Sequence, residues 1–150
     1  MKINQKDKYD MIEQHSLSQS IARVFEEAEK EYFIIDFSLI FINTELFTKY
    51  FTDYTIFSQS RKYILQLFYE EISSKNISLM NITEPQYDGD VAYWLGYLLA
   101  EWKQEYIMDM SLIAKEHLKW LYDNYDVLHT QSVKYVYQEF VTEILCKEKE

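Results

Sequence analysis

Three histidines, one cysteine and several groups of carboxylates are the side chains on which this chain could build a reaction. His15, His117 and His129 lie too far apart for any two to share a helical face three or four residues apart, so no two-histidine metal edge forms. A single cysteine rules out a CxxC pair, and a zinc site is not expected. Cys146 stands beside Lys147 near the C-terminus with no preorganised base, which reads as an unreactive edge thiol. Asp88-Gly89-Asp90 resembles the opening of a cation loop but lacks the further oxygen ligands at their spacing, and it reads as a turn and helix start. Two isolated glycines cannot cradle a phosphate, and no GxSxG elbow is present. The expectation is therefore a non-enzymatic protein with no catalytic constellation, no metal and no cofactor.

The carboxylates are a different case. Glu26, Glu27, Glu29 and Glu31 cluster, as do Glu70 with Glu71, Glu101 with Glu105, and Asp123 with Asp126. Acid–base chemistry needs two carboxyls converging in a pocket, whereas charge runs on helices form solvated faces. Glu101 is the exception to follow, because it succeeds Ala100 inside an aromatic-rich helix and is expected to be partly buried. His117 sits on an otherwise apolar face and reads as a core-edge histidine with one hydrogen-bonded nitrogen. His129 reads as a brace for the turn before the last helix.

The segments that must position these residues are helical. The 150 residues fit one domain, and 48% hydrophobic and 17% aromatic content argues for a packed core. Only two glycines and one proline are present, too few for a hairpin-rich β fold. The fold class expected is all-α: a single compact helical domain, residues 1–150, of about six to eight helices, with residues 1–7 and 147–150 mobile. Its centre is Val91–Tyr106, where Ala92, Gly96 and Ala100 recur every four positions and stack into a flat stripe. Such a stripe lets another backbone approach closely while Tyr93, Trp94, Tyr97, Trp102 and Tyr106 grip the neighbours.

The remaining elements follow from periodicity and caps. A short helix over Lys8–His15 precedes one capped by Ser16 or Ser18, with Ile21, Val24, Phe25, Ala28 and Tyr32 inward. Tyr32–Ile42 can be strand or helix; helix is favoured because no comparable strand exists to pair with it. Thr44–Phe51 is a short helix with Leu46, Phe47 and Tyr50 inward. Ser58 or Ser60 caps the next, with Tyr63, Ile64, Leu67, Phe68, Glu71 and Ile72 at helical spacing. Ser73–Tyr87 is a packed-down loop whose IxLMxI pattern could add a short edge strand. Helices then cover Ser111–Tyr125 and Gln131–Leu145, the latter capped by Thr130 or Ser132 and striped by Val133, Val136, Tyr137, Phe140, Ile144 and Leu145.

Charge narrows the function classes. The net charge of −10, from 25 acidic and 15 basic residues, repels a phosphate backbone and suits a basic partner. A helix-turn-helix reading of Val91–Phe140 stays the weaker alternative, since neither later helix carries an arginine or a net positive face. The longest apolar run, Tyr32–Ile42, is far short of the ~20 residues of a membrane span. The N-terminal stretch lacks the apolar centre of a signal peptide, and one unpaired cysteine fits a reducing cytosol.

Two segments carry a resemblance. Ala92-Tyr93-Trp94-Leu95-Gly96-Tyr97-Leu98-Leu99-Ala100 and Leu121-Tyr122-Asp123-Asn124-Tyr125-Asp126-Val127-Leu128-His129-Thr130-Gln131-Ser132 resemble segments of small, largely uncharacterised bacterial proteins, mostly from Firmicutes. The Leu121–Ser132 segment is similar to the tyrosine–aspartate, then leucine–histidine–threonine turn of antitoxin-like proteins encoded near toxins resembling ADP-ribosyltransferases. The resemblance implies a cytoplasmic, non-enzymatic partner protein, an antitoxin for a basic toxin. The alternative is a small-molecule-binding or enzymatic domain, with a pocket between Val91–Tyr106 and Ser111–Tyr125 lined by Trp94, Trp102, Trp120, Glu101 and His117. Tyr137 and Phe140, on the last helix, are the candidates for a protein interface or a homodimer.

Overall fold

The structure, a computed structural model, describes residues 5–84 and 89–145. The chain folds as an all-α domain. Helix α1, Gln5–Ala28, is 24 residues long. Four helices follow: α2 Ile34–Phe41, α3 Glu45–Tyr50, α4 Tyr54–Phe57 and α5 Arg61–Ser74. After the loop come α6 Gly89–Glu105, a 3-10 turn Met110–Leu112, α7 Lys115–Asp123, α8 Tyr125–Leu128 and α9 Val133–Glu139, which runs on into a π-helical turn Phe140–Leu145. Among the described residues that makes nine α-helical segments, of which α4 and α8 are single turns of four residues.

The small stripe explains the architecture. Ala92, Gly96 and Ala100 are buried, and α1 lies along α6 as its most extensive neighbour. The two run antiparallel, since Gln14 meets Glu101 and, farther along α1, Phe25 meets Gly96. A Cβ on Gly96 would fall 2.7 Å from the Phe25 ring. Glycine normally weakens a helix, so it stands here because a ring occupies the space. One turn on, the row ends in Gln104, whose amide donates to Ser18 Oγ at 2.9 Å and to the Gln14 carbonyl at 3.1 Å.

Several boundaries move from their expected places. Lys8–Ala28 is one helix, not two, and Ser18 is buried inside it instead of capping a new one. Tyr32–Ile42 resolves to helix α2 because its backbone closes on itself, with Phe37 N–H donating to the Phe33 carbonyl. A trace of strand pairing survives beside it: Tyr32 and Asn81 form an isolated antiparallel bridge, and Ile82 N–H donates to the Glu31 carbonyl. Ser60 caps α5 and Ser132 caps α9, each accepting from the backbone N–H three residues on. At the other end of α5, Asn76 adopts a left-handed φ of 56°, and Ile77 N–H returns to the Ile72 carbonyl, a Schellman closure. Within α5, Leu65 is buried while Tyr63 is 44% exposed.

The expected helix Ser111–Tyr125 is divided. Asp109 accepts from Ser111 N–H and Oγ–H, which winds the 3-10 turn before α7. The side chain of Asn124 then bonds the Trp120 carbonyl and ends α7. The expected mobility of residues 1–4 and 147–150, the start at Asp88 and the thiol Cys146 lie outside the described residues, whereas residues 5–7 belong to α1.

Rings fill the core. Phe37 packs against Phe25, Phe41 and Phe68 at centroid separations of 5.2, 5.1 and 5.0 Å. Phe41 meets Phe47 edge-on, and Tyr50 hydrogen-bonds Ser20. Among the described residues no helix is long and apolar enough to cross a membrane.

Candidate functional site

The residues singled out from sequence divide into three environments. Trp102 and Phe140 are wholly buried and pack together at 5.1 Å, with His117 edge-on to Phe140 at 5.4 Å. These three are core. The Ala114 N–H donates to His117 Nδ1 at 2.9 Å, closing the first turn of α7. An accepting Nδ1 carries no proton, so the ring proton sits on Nε2. His117 thus serves α7 where the N-cap residue, an alanine, cannot. Trp120 is half-buried on the core edge, and Tyr137 stacks on Tyr106 at 3.7 Å with rings nearly parallel. Among the described residues Trp94, Trp102, Trp120, Glu101 and His117 do not come together around one cavity, because α6 and α7 turn them to different neighbours.

Trp94 and Glu101 instead line two adjoining cavities on the α6 face next to the small stripe. The larger, of about 610 Å³, is lined by Gln19 and Glu26 of α1, Asp90, Tyr93, Trp94 and Tyr97 of α6, Tyr125 of α8, and His129. Trp94 and Tyr125 stand at 70° to one another with centroids 5.5 Å apart. His129 stacks on the Tyr125 ring at 4.4 Å, and its Nδ1–H donates to the Tyr125 carbonyl at 2.7 Å. That bond is the turn brace expected of His129, and it also fixes the ring as one wall of the cavity. Burial first, then the charges of Asp90 and Asp126, push the ionisation of the Tyr125 phenol up. The Glu26 carboxylate lies 3.7 Å from Arg61, and Asp90 has no cationic partner among the described residues.

The smaller cavity, about 230 Å³, shares Tyr97 and continues past Gln14, His15, Glu101, Glu105, Tyr106, Val133 and Lys134. Glu101 is 4% exposed, as buried as a core leucine. Its two oxygens are both satisfied: Oε1 by His15 Nδ1 at 2.9 Å and Oε2 by the Gln14 amide at 2.6 Å. The same amide reaches Glu105 at 3.2 Å, so one neutral side chain bridges two carboxylates a turn apart. His15 Nδ1 also lies 2.8 Å from the Tyr97 hydroxyl. Burial and the hydrogen bond to Glu101 drive the Tyr97 phenol far above the ordinary tyrosine range. This network clamps α1 to α6, and a carboxylate so fully bonded is held in place for structure.

The carboxylate faces also sort themselves. Glu29, expected on a solvated face, is 4% exposed. Glu71 reaches across to α3 and accepts from the N–H groups of Glu45 and Leu46 at 2.8 and 2.9 Å. Among the described residues no group of three or more His, Cys, Asp or Glu side chains could hold a metal ion.

The sequence reading gives no site role to Tyr93, Tyr97, Tyr125, Gln14 or His15, each of which lines one of the two cavities. The signal was present on α6: Asp90, Tyr93, Trp94, Tyr97, Glu101 and Glu105 repeat at helical spacing beside the small stripe. Once the stripe is assigned to α1, that row must face a seam. Compared with known proteins, the chain matches no family model, no curated protein and no solved structure.

Proposed function

We propose that this protein is a cytoplasmic, non-enzymatic interaction module that holds a positively charged segment of a partner protein in the α6 groove. The observation that carries the reading is the larger cavity, whose aromatic walls are rimmed by Glu26 and Asp90. Aromatic anchors inside a polar rim are the usual anatomy of a binding patch. A net charge of −10 adds long-range attraction for a basic partner. The antitoxin resemblance points the same way, and one of its two segments, Ala92–Ala100, supplies Tyr93, Trp94 and Tyr97 while the other supplies Tyr125 and His129. The last helix is a poorer candidate for a homodimer, because Val136 and Phe140 of its stripe are consumed by the core.

Co-expression with a toxin-like product encoded beside this gene tests the reading. The wild-type chain is expected to relieve growth arrest and to co-purify with that product; Asp90→Lys together with Glu26→Lys is expected to abolish both while the helical circular dichroism persists. Relief that survives the double reversal overturns the groove as the partner site. The groove's volume also falls within the ~300–1,000 Å³ of small-ligand pockets. A small-molecule reading gains if a small-molecule ligand co-purifies in the groove and no partner does.

A further inference from the structure

Resting on the interaction reading above, we infer that the larger groove is built for one arginine side chain of the partner, taken as a guanidinium between aromatic walls and two carboxylates. A guanidinium has two recognition surfaces: flat faces that stack on rings, and in-plane N–H groups that pair with carboxylates. The groove offers both. The indole of Trp94 and the phenol ring of Tyr125 meet at 70°, giving two walls of a corner, and His129 backs the second wall at 4.4 Å. Asp90 and Glu26 stand at the rim of the same cavity, one from α6 and one from α1.

Three features select arginine over other occupants. An anion is excluded by the two carboxylates and by the electronegative ring faces. A neutral apolar residue would leave Asp90 without a cationic partner among the described residues and Glu26 with only Arg61, at 3.7 Å. Lysine brings charge, but as a compact, strongly hydrated ammonium it cannot stack in plane or engage a carboxylate through paired donors. The walls are also prepared. The His129 bond to the Tyr125 carbonyl and the bond network of Glu101, His15 and Tyr97 fix rings on both sides before any ligand arrives. At about 610 Å³ the cavity exceeds one guanidinium, so the residues flanking the arginine in the partner share it.

The probe is a set of capped tripeptides, glycine–X–glycine, with X as arginine, lysine or citrulline, titrated into the full chain and followed by the Trp94 indole N–H resonance in two-dimensional NMR. Arginine is expected to give a saturable shift at Trp94 and none at the buried Trp102. Lysine is expected to bind about fivefold more weakly, the scale of one lost stacking contact. Citrulline keeps the plane and loses the charge, and is expected to give no saturable shift. Asp90→Asn and Trp94→Phe should each weaken arginine binding with unchanged circular dichroism; Glu26→Gln serves as a second rim variant should Asp90→Asn disturb the start of α6. No saturable shift with arginine, or equal shifts with citrulline, overturns the arginine pocket. If the partner protein is still captured in that case, and charge reversal at Asp90 and Glu26 still releases it, the interaction reading stands without the arginine. If neither tripeptide nor partner binds, both fall.

Discussion

The rings of α2, α3 and α5 and the rings of α6 and α8 that border the groove do different things. In the first group Phe37, Phe41, Phe47 and Phe68 are fully buried, Tyr50 nearly so, and each ring is walled by others. In the second, Trp94, Tyr97 and Tyr125 are half-buried and border a cavity with carboxylates at its rim. Aromatic content alone therefore distinguishes nothing. The residues between the rings decide: Ile64, Leu65 and Ile72 seal one group, whereas Asp90, Gln19, Glu26 and Glu101 keep the other polar at its margin. Core and site are both rich in rings here, but the core is mostly phenylalanine and the groove is tryptophan and tyrosine, with polar side chains filling the gaps only in the groove.

Deleting one ring from each group puts this contrast to its most severe test. Phe37→Ala removes a ring wholly surrounded by four aromatic neighbours, Phe25, Tyr32, Phe41 and Phe68. Truncating a buried phenylalanine costs about 3–5 kcal/mol from lost contact and the cavity left behind. Trp94→Ala, at the open edge, should cost about 1 kcal/mol, the ordinary range for a partly exposed site. Urea denaturation of both variants measures the difference. Equal losses would mean that the groove is core and that its cavity carries no function.

The next test addresses the seam on which both groups rest. Gly96→Leu places a branched side chain where even a Cβ sits 2.7 Å from the Phe25 Cγ and 2.9 Å from its Cβ. Phe25 is fully buried and has no free direction in which to move. Overpacking of this kind costs about 1–3 kcal/mol, which in a chain of 150 residues lowers the melting temperature by several degrees. An unchanged melting temperature would show that α1 and α6 do not pack closely along the stripe.

How much of this was legible in the sequence depends on whether one helix or two set the outcome. The stripe Ala92, Gly96 and Ala100 is a property of α6 alone, and its burial follows directly from spacing. Ser60 and Ser132, each one of two cap candidates in the sequence, act on their own helices, whereas Thr44, read as part of its helix, proves to be the cap of α3. The groove was not legible, because it needs α1, α6 and α8 at once, and no single periodicity reports that Glu26, Asp90 and Tyr125 converge. Glu101 and Glu29 show the same limit. Each belongs to a helix by pattern, but only the helix opposite reveals that its carboxylate is enclosed. The division of Ser111–Tyr125 was hidden for another reason: Asp109 and Asn124 hydrogen-bond nearby backbone and interrupt an otherwise continuous apolar pattern.

The smallest expected effect comes from within the sealed group, where one carboxylate does enter and is fully used. Glu71 of α5 caps α3 from outside, taking the first backbone N–H groups of that helix, Glu45 and Leu46, and pairing with Lys75 at 2.8 Å. Burial pulls its ionisation upward, but the bonds from Lys75, Leu46 and Glu45 together outweigh it and hold the carboxyl below the ordinary glutamate value of 4.5. A group whose folded pKa is depressed binds its proton more readily in the unfolded chain. Its contribution is therefore complete above the unfolded value near 4.5 and is lost as pH falls through the lower folded value. Glu71→Ala should cost about 1 kcal/mol at neutral pH, the typical worth of a helix cap. The same substitution should cost less in acid, once the wild-type carboxyl is protonated too. Chemical denaturation at neutral pH and again below the folded value compares the two. A loss that stays constant across that range would show that α3 does not depend on the Glu71 charge, leaving packing by Leu46, Phe47 and Tyr50 to hold it.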